Sequence, residues 1–159
     1  MTDLTHAAPA STVPVRTAGT TLDRWSRWLV VWLAIVAAIS LATVLIAQVS
    51  GELFDLALFG STDRPAGFTN DAVEYQRFIW GITGALTIGW MLLAVPVVRG
   101  PFRRGERWAW VAIAESFAGW FLIDSTMSVA LGFAENVAVN VLFVVGVVPA
   151  LVATRPGRR

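Results

Sequence analysis

The sequence predicts an all-α fold: a polytopic membrane protein with four transmembrane helices in an up-down bundle and both termini cytoplasmic. Three observations lead there. The 159-residue chain is 56% hydrophobic and 14% charged, where an ordinary soluble domain is about 25% charged. Its apolar residues gather into four long runs. Its basic residues, all arginine with no lysine, lie almost entirely in alternate connections between those runs.

The first run, residues 28–49, contains no charge and is long enough to cross a hydrocarbon core of about 30 Å at about 1.5 Å per helical residue. The second covers 78–98, the third 108–131 and the fourth 137–153, the last close to the short limit of about 17 residues. A cleaved signal peptide is the rival interpretation of the first run. Its apolar part is longer than the usual stretch of about 7–15 residues, and no small-residue cleavage site follows. Residues 1–24, rich in Ala, Thr, Pro and Ser, are expected to be a disordered cytoplasmic tail. Residues 25–154 then form the transmembrane domain, and 155–159 a basic cytoplasmic tail.

Orientation follows from the arginines. Arg16, Arg24 and Arg27 precede the first run; Arg99, Arg103, Arg104 and Arg107 join the second to the third; Arg155, Arg158 and Arg159 end the chain. The opposite side has Arg64 and Arg77 against Glu52, Asp55, Asp63, Asp71, Glu74 and Glu135. The positive-inside rule therefore puts both termini in the cytoplasm. Trp25, Trp28, Trp32, Trp108 and Trp110 cluster at the same ends of the first and third runs, as rings anchored at a headgroup boundary do.

The outer loop, about residues 50–74, mixes Leu53, Phe54, Leu56, Leu58 and Phe59 with Glu52 and Asp55, a pattern suited to a short helix or turn on the outer leaflet. Asp71 followed by Glu74 resembles a capping arrangement, so the second helix is expected to begin before the membrane.

"FLIDSTMSVALGFAENVAVN", residues 121–140, concentrates polar groups inside the apolar third and fourth runs. If those helices form an antiparallel hairpin turning near residues 132–135, Asp124 lies at the depth of Asn140 and Ser128 at the depth of Asn136. Within each helix the two members are four residues apart and share a face. The result is a two-rung polar seam. An unpaired carboxylate in hydrocarbon costs about 2.5–3.5 kcal/mol on insertion scales, and an amide partner lowers that cost. One account makes the seam a structural clasp. The other makes Asp124 a functional acid that relays a proton or pairs with a cationic ligand. Glu115 is a second intramembrane acid; nine residues at about 100° each place it nearly opposite Asp124 on the third helix.

The second helix carries Gly81, Ala85 and Gly89 at four-residue intervals with Gly84 alongside, a small-residue face on which another backbone can come close. Packing inside the bundle is the favoured use and a dimer interface the alternative. Pro96 and Pro149 sit near helix ends, where a stop or kink costs little.

Several function classes drop out. A net charge of +1 argues against nucleic-acid partners. Without cysteine there is no disulfide, thiolate metal site or cysteine nucleophile, and the one histidine, His6, lies in the tail. Phosphate-binding glycine loops, paired-histidine metal sites and nucleophile elbows are absent. No catalytic residue, cofactor or metal is expected.

"RFIWGITGALTIGWMLLAVP" and "RRGERWAWVAIAESFAGWFLIDSTMSVALGFAENVAVNVLF" resemble a loose group of small bacterial four-helix membrane proteins. The shared features are a Gly-rich second helix, the turn from Arg104 to Trp110, an Asp-Ser pair at Asp124 and Ser125, and Asn136 with Asn140 in the fourth helix; Gly81, Gly84 and Trp90 are the further matching positions. The resemblance covers roughly residues 77–149 and implies a fold and a compartment. A weaker architectural similarity links the chain to emopamil-binding and sigma-2-type proteins, which normally carry more acids and a histidine near their site. The expected partners are the bilayer, a lipophilic ligand, and a second copy or a membrane partner protein. The leading expectation is non-enzymatic binding at the Asp124 seam. A proton-coupled transporter or channel component using Glu115 and Asp124 is the alternative, and an acid-base lipid isomerase a third.

Overall fold

The computed structural model describes residues 17–45, 56 and 69–157, and every regular element among them is helical. The elements are α1 (Thr17–Leu45), α2 (Asn70–Val97), α3 (Arg107–Ala130), α4 (Glu135–Val145) and α5 (Val148–Ala153), with a π-helical turn, Val98–Phe102, continuing α2. Three stretches are long and apolar enough to cross a membrane: Thr21–Leu45, Asn70–Phe102 and Glu135–Ala153. α3 has 24 residues, enough to span. It is not among the three, because Glu115 and Asp124 interrupt its apolar sequence.

α1 begins at Thr17, inside the tail expected to lack structure, and it already buries Leu22 and Ser26. The Ser26 hydroxyl donates to the Asp23 carbonyl at 2.9 Å, which keeps a polar side chain satisfied in a buried position. Residues 1–16 with His6, residues 46–49 of the first run, and the outer-loop positions Glu52, Leu53, Phe54, Asp55, Leu58, Phe59, Asp63 and Arg64 lie outside the described residues. α2 starts ahead of its apolar run, as expected, but a different residue caps it. Thr69 is extended and its hydroxyl accepts from the Ala72 N–H at 3.2 Å. Asp71 falls in the first turn, where an acid favours the positive helix end.

α1 and α2 run antiparallel along matching apolar stripes. Leu22, Leu29, Leu33 and Val36 of α1 and Val73, Trp80, Gly84, Met91 and Ala94 of α2 are buried, each set recurring every three, four or seven residues. Gly84 is the point of closest approach: a Cβ there would lie 3.0 Å from the Ser40 carbonyl oxygen and 2.5 Å from a Val44 methyl. The expected packing face of Gly81, Ala85 and Gly89 is not the one that meets α1 among the described residues. A Cβ at Gly81 or Gly89 would meet nothing within 4 Å, and Ala85 is exposed. Both sets are small, but only the Gly84 face coincides with the large apolar residues that α1 must cover.

The fourth run is likewise not one helix. It stops at Val145 and restarts at Val148, with Pro149 in the first turn of α5. The interruption leaves carbonyls over residues 143–146 without a helical partner, and the end of α5 at Ala153 does the same for Leu151. Indole N–H groups answer them. Trp28 Nε1 donates to the Gly146 carbonyl at 2.8 Å, Trp32 Nε1 to the Phe143 carbonyl at 3.2 Å, and Trp110 Nε1 to the Leu151 carbonyl at 2.9 Å. Gly146 is required at this crossing, since a Cβ would overlap the Trp32 ring. Trp28, Trp32 and Trp110 thus hold the bundle together through hydrogen bonds, a role beyond the interfacial anchoring expected of them. The core lies at this same, arginine-rich end, where Leu29, Leu33, Met91, Phe102, Phe117 and Val147 are buried.

Candidate functional site: a carboxylate–amide seam

α3 ends at Ala130 and the chain reverses over residues 131–134. Gly132 adopts φ +86°, a left-handed conformation that glycine takes without strain, and Phe133 N–H donates to the Ser128 carbonyl at 2.8 Å. This short reversal sets α4 against α3 and determines which side chains meet.

Four expected seam residues come together there. Asp124 Oδ2 accepts from the Asn140 amide at 2.5 Å and from the Asn136 amide at 2.9 Å. Asn136 also donates to Ser128 Oγ at 2.9 Å, and Ser128 Oγ donates to the Asp124 backbone carbonyl at 2.7 Å. Asn140 and Ser128 are buried, while Asp124 and Asn136 are half-buried. The arrangement is a fan, not two separate rungs, because both amides converge on one carboxylate oxygen. Ser125 joins it as well, its Oγ accepting from Asn140 at 3.2 Å. Depth matching overlooked Ser125, since it compares residues at a common level and ignores the reach of an amide to the next residue around the helix. Its place beside Asp124 was the available signal.

The seam has a floor. Trp120, one turn before Asp124, packs edge-on against Phe143 with ring centroids 6.0 Å apart, and Trp90 approaches Phe117 at 4.7 Å and Trp120 at 6.2 Å. These rings separate the seam from the arginine-rich end. Asp124 Oδ1 is left without a hydrogen bond among the described residues, on a side chain that is only half-buried. The seam therefore presents one carboxylate oxygen locked in orientation and one available to a donor.

Glu115 is not part of this site. It is exposed on α3 and makes no hydrogen bond or ion pair among the described residues. Helical geometry explains the separation: a residue nine positions before Asp124 points to nearly the opposite side. Among the described residues no group of three His, Cys, Asp or Glu side chains is placed to hold a metal ion.

The arginine-rich end has its own polar contacts. Asp23 pairs with Arg27 at 2.5 Å and with Arg103 at 2.6 Å, tying the start of α1 to the α2–α3 turn. Glu106 accepts from Arg104 Nε at 2.6 Å and from Trp108 Nε1 at 2.7 Å. These hydrogen bonds, Arg104 first and Trp108 next, hold the Glu106 carboxyl below its ordinary value. Trp108, expected as a lipid anchor, is engaged within its own turn.

Comparisons with protein-family models, with curated proteins and with solved structures find no match to this chain.

Proposed function

We propose that the chain is a four-span protein of the cytoplasmic membrane, with both termini inside, that binds a lipophilic molecule or a membrane partner protein at the Asp124 seam and catalyses no reaction. The half-exposed Asp124 carboxylate carries this reading. Its Oδ2 is fixed by Asn136 and Asn140 while Oδ1 has no donor among the described residues, an arrangement suited to holding an incoming donor or cation. α3 is taken as the fourth span because it has the length and because Asp124, Ser125 and Ser128 are answered within the α3–α4 hairpin. The ten arginines that the sequence sets before the first run, between the second and third and after the fourth favour the inside orientation. The small bacterial four-helix proteins that the sequence resembles would share this architecture.

Native mass spectrometry of the protein in mild detergent, wild type beside Asp124→Asn, tests the binding site. A discrete additional mass, or a retained partner, on the wild type that is lost from a folded variant is the expected result. Equal retention by both removes Asp124 from the site. Topology is tested separately: the chain has no cysteine, so single Arg99→Cys and Ala134→Cys variants report which side each occupies through an impermeant thiol reagent. Labelling of Arg99→Cys from outside would overturn the orientation.

The proton-coupled alternative draws on Glu115, which is exposed and has no partner among the described residues. It requires a route joining two acids on nearly opposite sides of α3, which favours the binding reading. Liposome flux unaffected by both Glu115→Gln and Asp124→Asn would dispose of it.

A further inference from the structure

Between α3 and the short α5 lies a groove of about 310 Å³, lined by Trp110, Val148, Leu151, Val152 and Arg155. Four of the five walls are apolar. Trp110 presents only its ring, because its N–H is already committed to the Leu151 carbonyl at 2.9 Å. Val148 and Val152 are exposed, so the groove opens sideways from the bundle and is not a closed cavity. An apolar, laterally open groove with a guanidinium at its end has the two-part character of a phospholipid: hydrocarbon along the wall, phosphate at the tip.

Charge decides which lipid. The acids described at this end are occupied, Asp23 by Arg27 and Arg103 and Glu106 by Arg104 and the Trp108 indole. Arg155 is exposed and has no carboxylate or hydrogen-bond partner among the described residues. Arg107, three residues before Trp110, lies one turn back on the same face of α3 and is equally without a partner. Two uncompensated arginines thus come from the converging ends of α3 and α5, beside an apolar groove. Arg107 stands outside the lining itself but on the helix that walls the groove; Arg24 and Arg99 also lack carboxylates, and they belong to α1 and the π-helical turn, which do not line it.

We propose that this groove is a binding site for an anionic phospholipid of the inner leaflet, one acyl chain lying against Trp110, Val148, Leu151 and Val152 and the phosphate held by Arg155 with Arg107. The proposal rests on the reading that this end lies at the cytoplasmic headgroup level, and it concerns a site separate from the Asp124 seam.

The test is native mass spectrometry of full-length protein titrated with phosphatidylglycerol or with phosphatidylcholine of the same chain length. Wild type is expected to retain phosphatidylglycerol about tenfold more than phosphatidylcholine, given that each basic residue near the headgroups adds on the order of 1 kcal/mol toward anionic lipid. Arg155→Gln should remove most of that preference. Val148→Trp, which fills the groove and leaves every charge in place, should lower retention of both lipids. Arg99→Gln should change nothing. Equal retention of the two lipids by wild type overturns the proposal. So does an effect of Arg99→Gln as large as that of Arg155→Gln, which would show a diffuse basic surface. The arms separate the two sites: a retained mass lost with Asp124→Asn but kept with Arg155→Gln belongs to the seam. Thiol labelling reports on topology whatever the lipid result.

Discussion

The side-chain amide of Asn140 donates to Asp124 Oδ2 at 2.5 Å, joining α3 to α4 across sixteen residues of sequence. Asn140 is 3% exposed, so its amide has no water as a substitute partner. Replacing Asn140 by Leu should destabilise the protein by about 1–3 kcal/mol, the penalty for stranding a polar group. The double variant Asp124→Leu/Asn140→Leu should recover part of that loss, since both halves of the pair then go while Asn136 keeps its bond to Ser128 Oγ. Denaturation in mixed micelles measures both. A double variant less stable than the single by the full cost of a second lesion would show that the pair does not act as a unit.

Glycines of one composition should behave in three ways. Gly146→Ala drives a methyl group into the Trp32 ring and should cost about 1–3 kcal/mol as overpacking. Gly84→Ala meets the flexible end of Val44 but also the Ser40 backbone oxygen, and should lose less than Gly146→Ala. Gly81→Ala and Gly89→Ala enter open space and should stabilise by about 0.4–1 kcal/mol through the unfolded chain. Thermal unfolding of the four variants gives the order; a marked loss at Gly81 or Gly89 would mean that a second copy covers that face.

Trp28→Phe and Trp110→Phe keep an aromatic ring and delete one hydrogen bond each, to the Gly146 and Leu151 carbonyls. Each should cost about 1 kcal/mol, the usual net worth of such a bond. Trp108→Phe breaks a contact within an exposed turn and should cost less. If all three lose the same amount, interfacial anchoring explains these indoles better than the backbone bonds do.

Glu106 predicts a pH response of the α2–α3 turn. Its carboxyl is held below its ordinary value by Arg104 and then Trp108. A depressed folded-state value means that the stabilisation is present above the unfolded value and is lost as pH falls through the folded one. Protection of the amides over residues 103–108 from hydrogen exchange, taken relative to the intrinsic rate at each pH, should therefore fall on acidification. In Glu106→Gln protection should already be lower at neutral pH and show no such step. An identical acid response in the variant would assign the transition to another group.

The all-helical class and the apolar runs were legible because bilayer thickness imposes a length and an absence of charge that composition exposes directly. The meeting of Asp124 with Asn136 and Asn140 was legible for a related reason: a short antiparallel hairpin makes depth a simple function of residue number. Contacts between segments distant in sequence were not. Gly81, Gly84, Ala85 and Gly89 all satisfy the small-residue pattern, and only the crossing of α1 over α2 selects Gly84 for close packing. Trp28 and Trp110 look alike as interfacial aromatics until the break at Gly146 and the end of α5 supply carbonyls for their N–H groups. Ser125 enters the seam by the reach of one amide. Sequence by itself determined the helices and their polar cargo, since those follow from local periodicity and the demands of an apolar solvent. Tertiary structure decided which faces touch, because that depends on the relative rotation of whole helices, which no local pattern encodes.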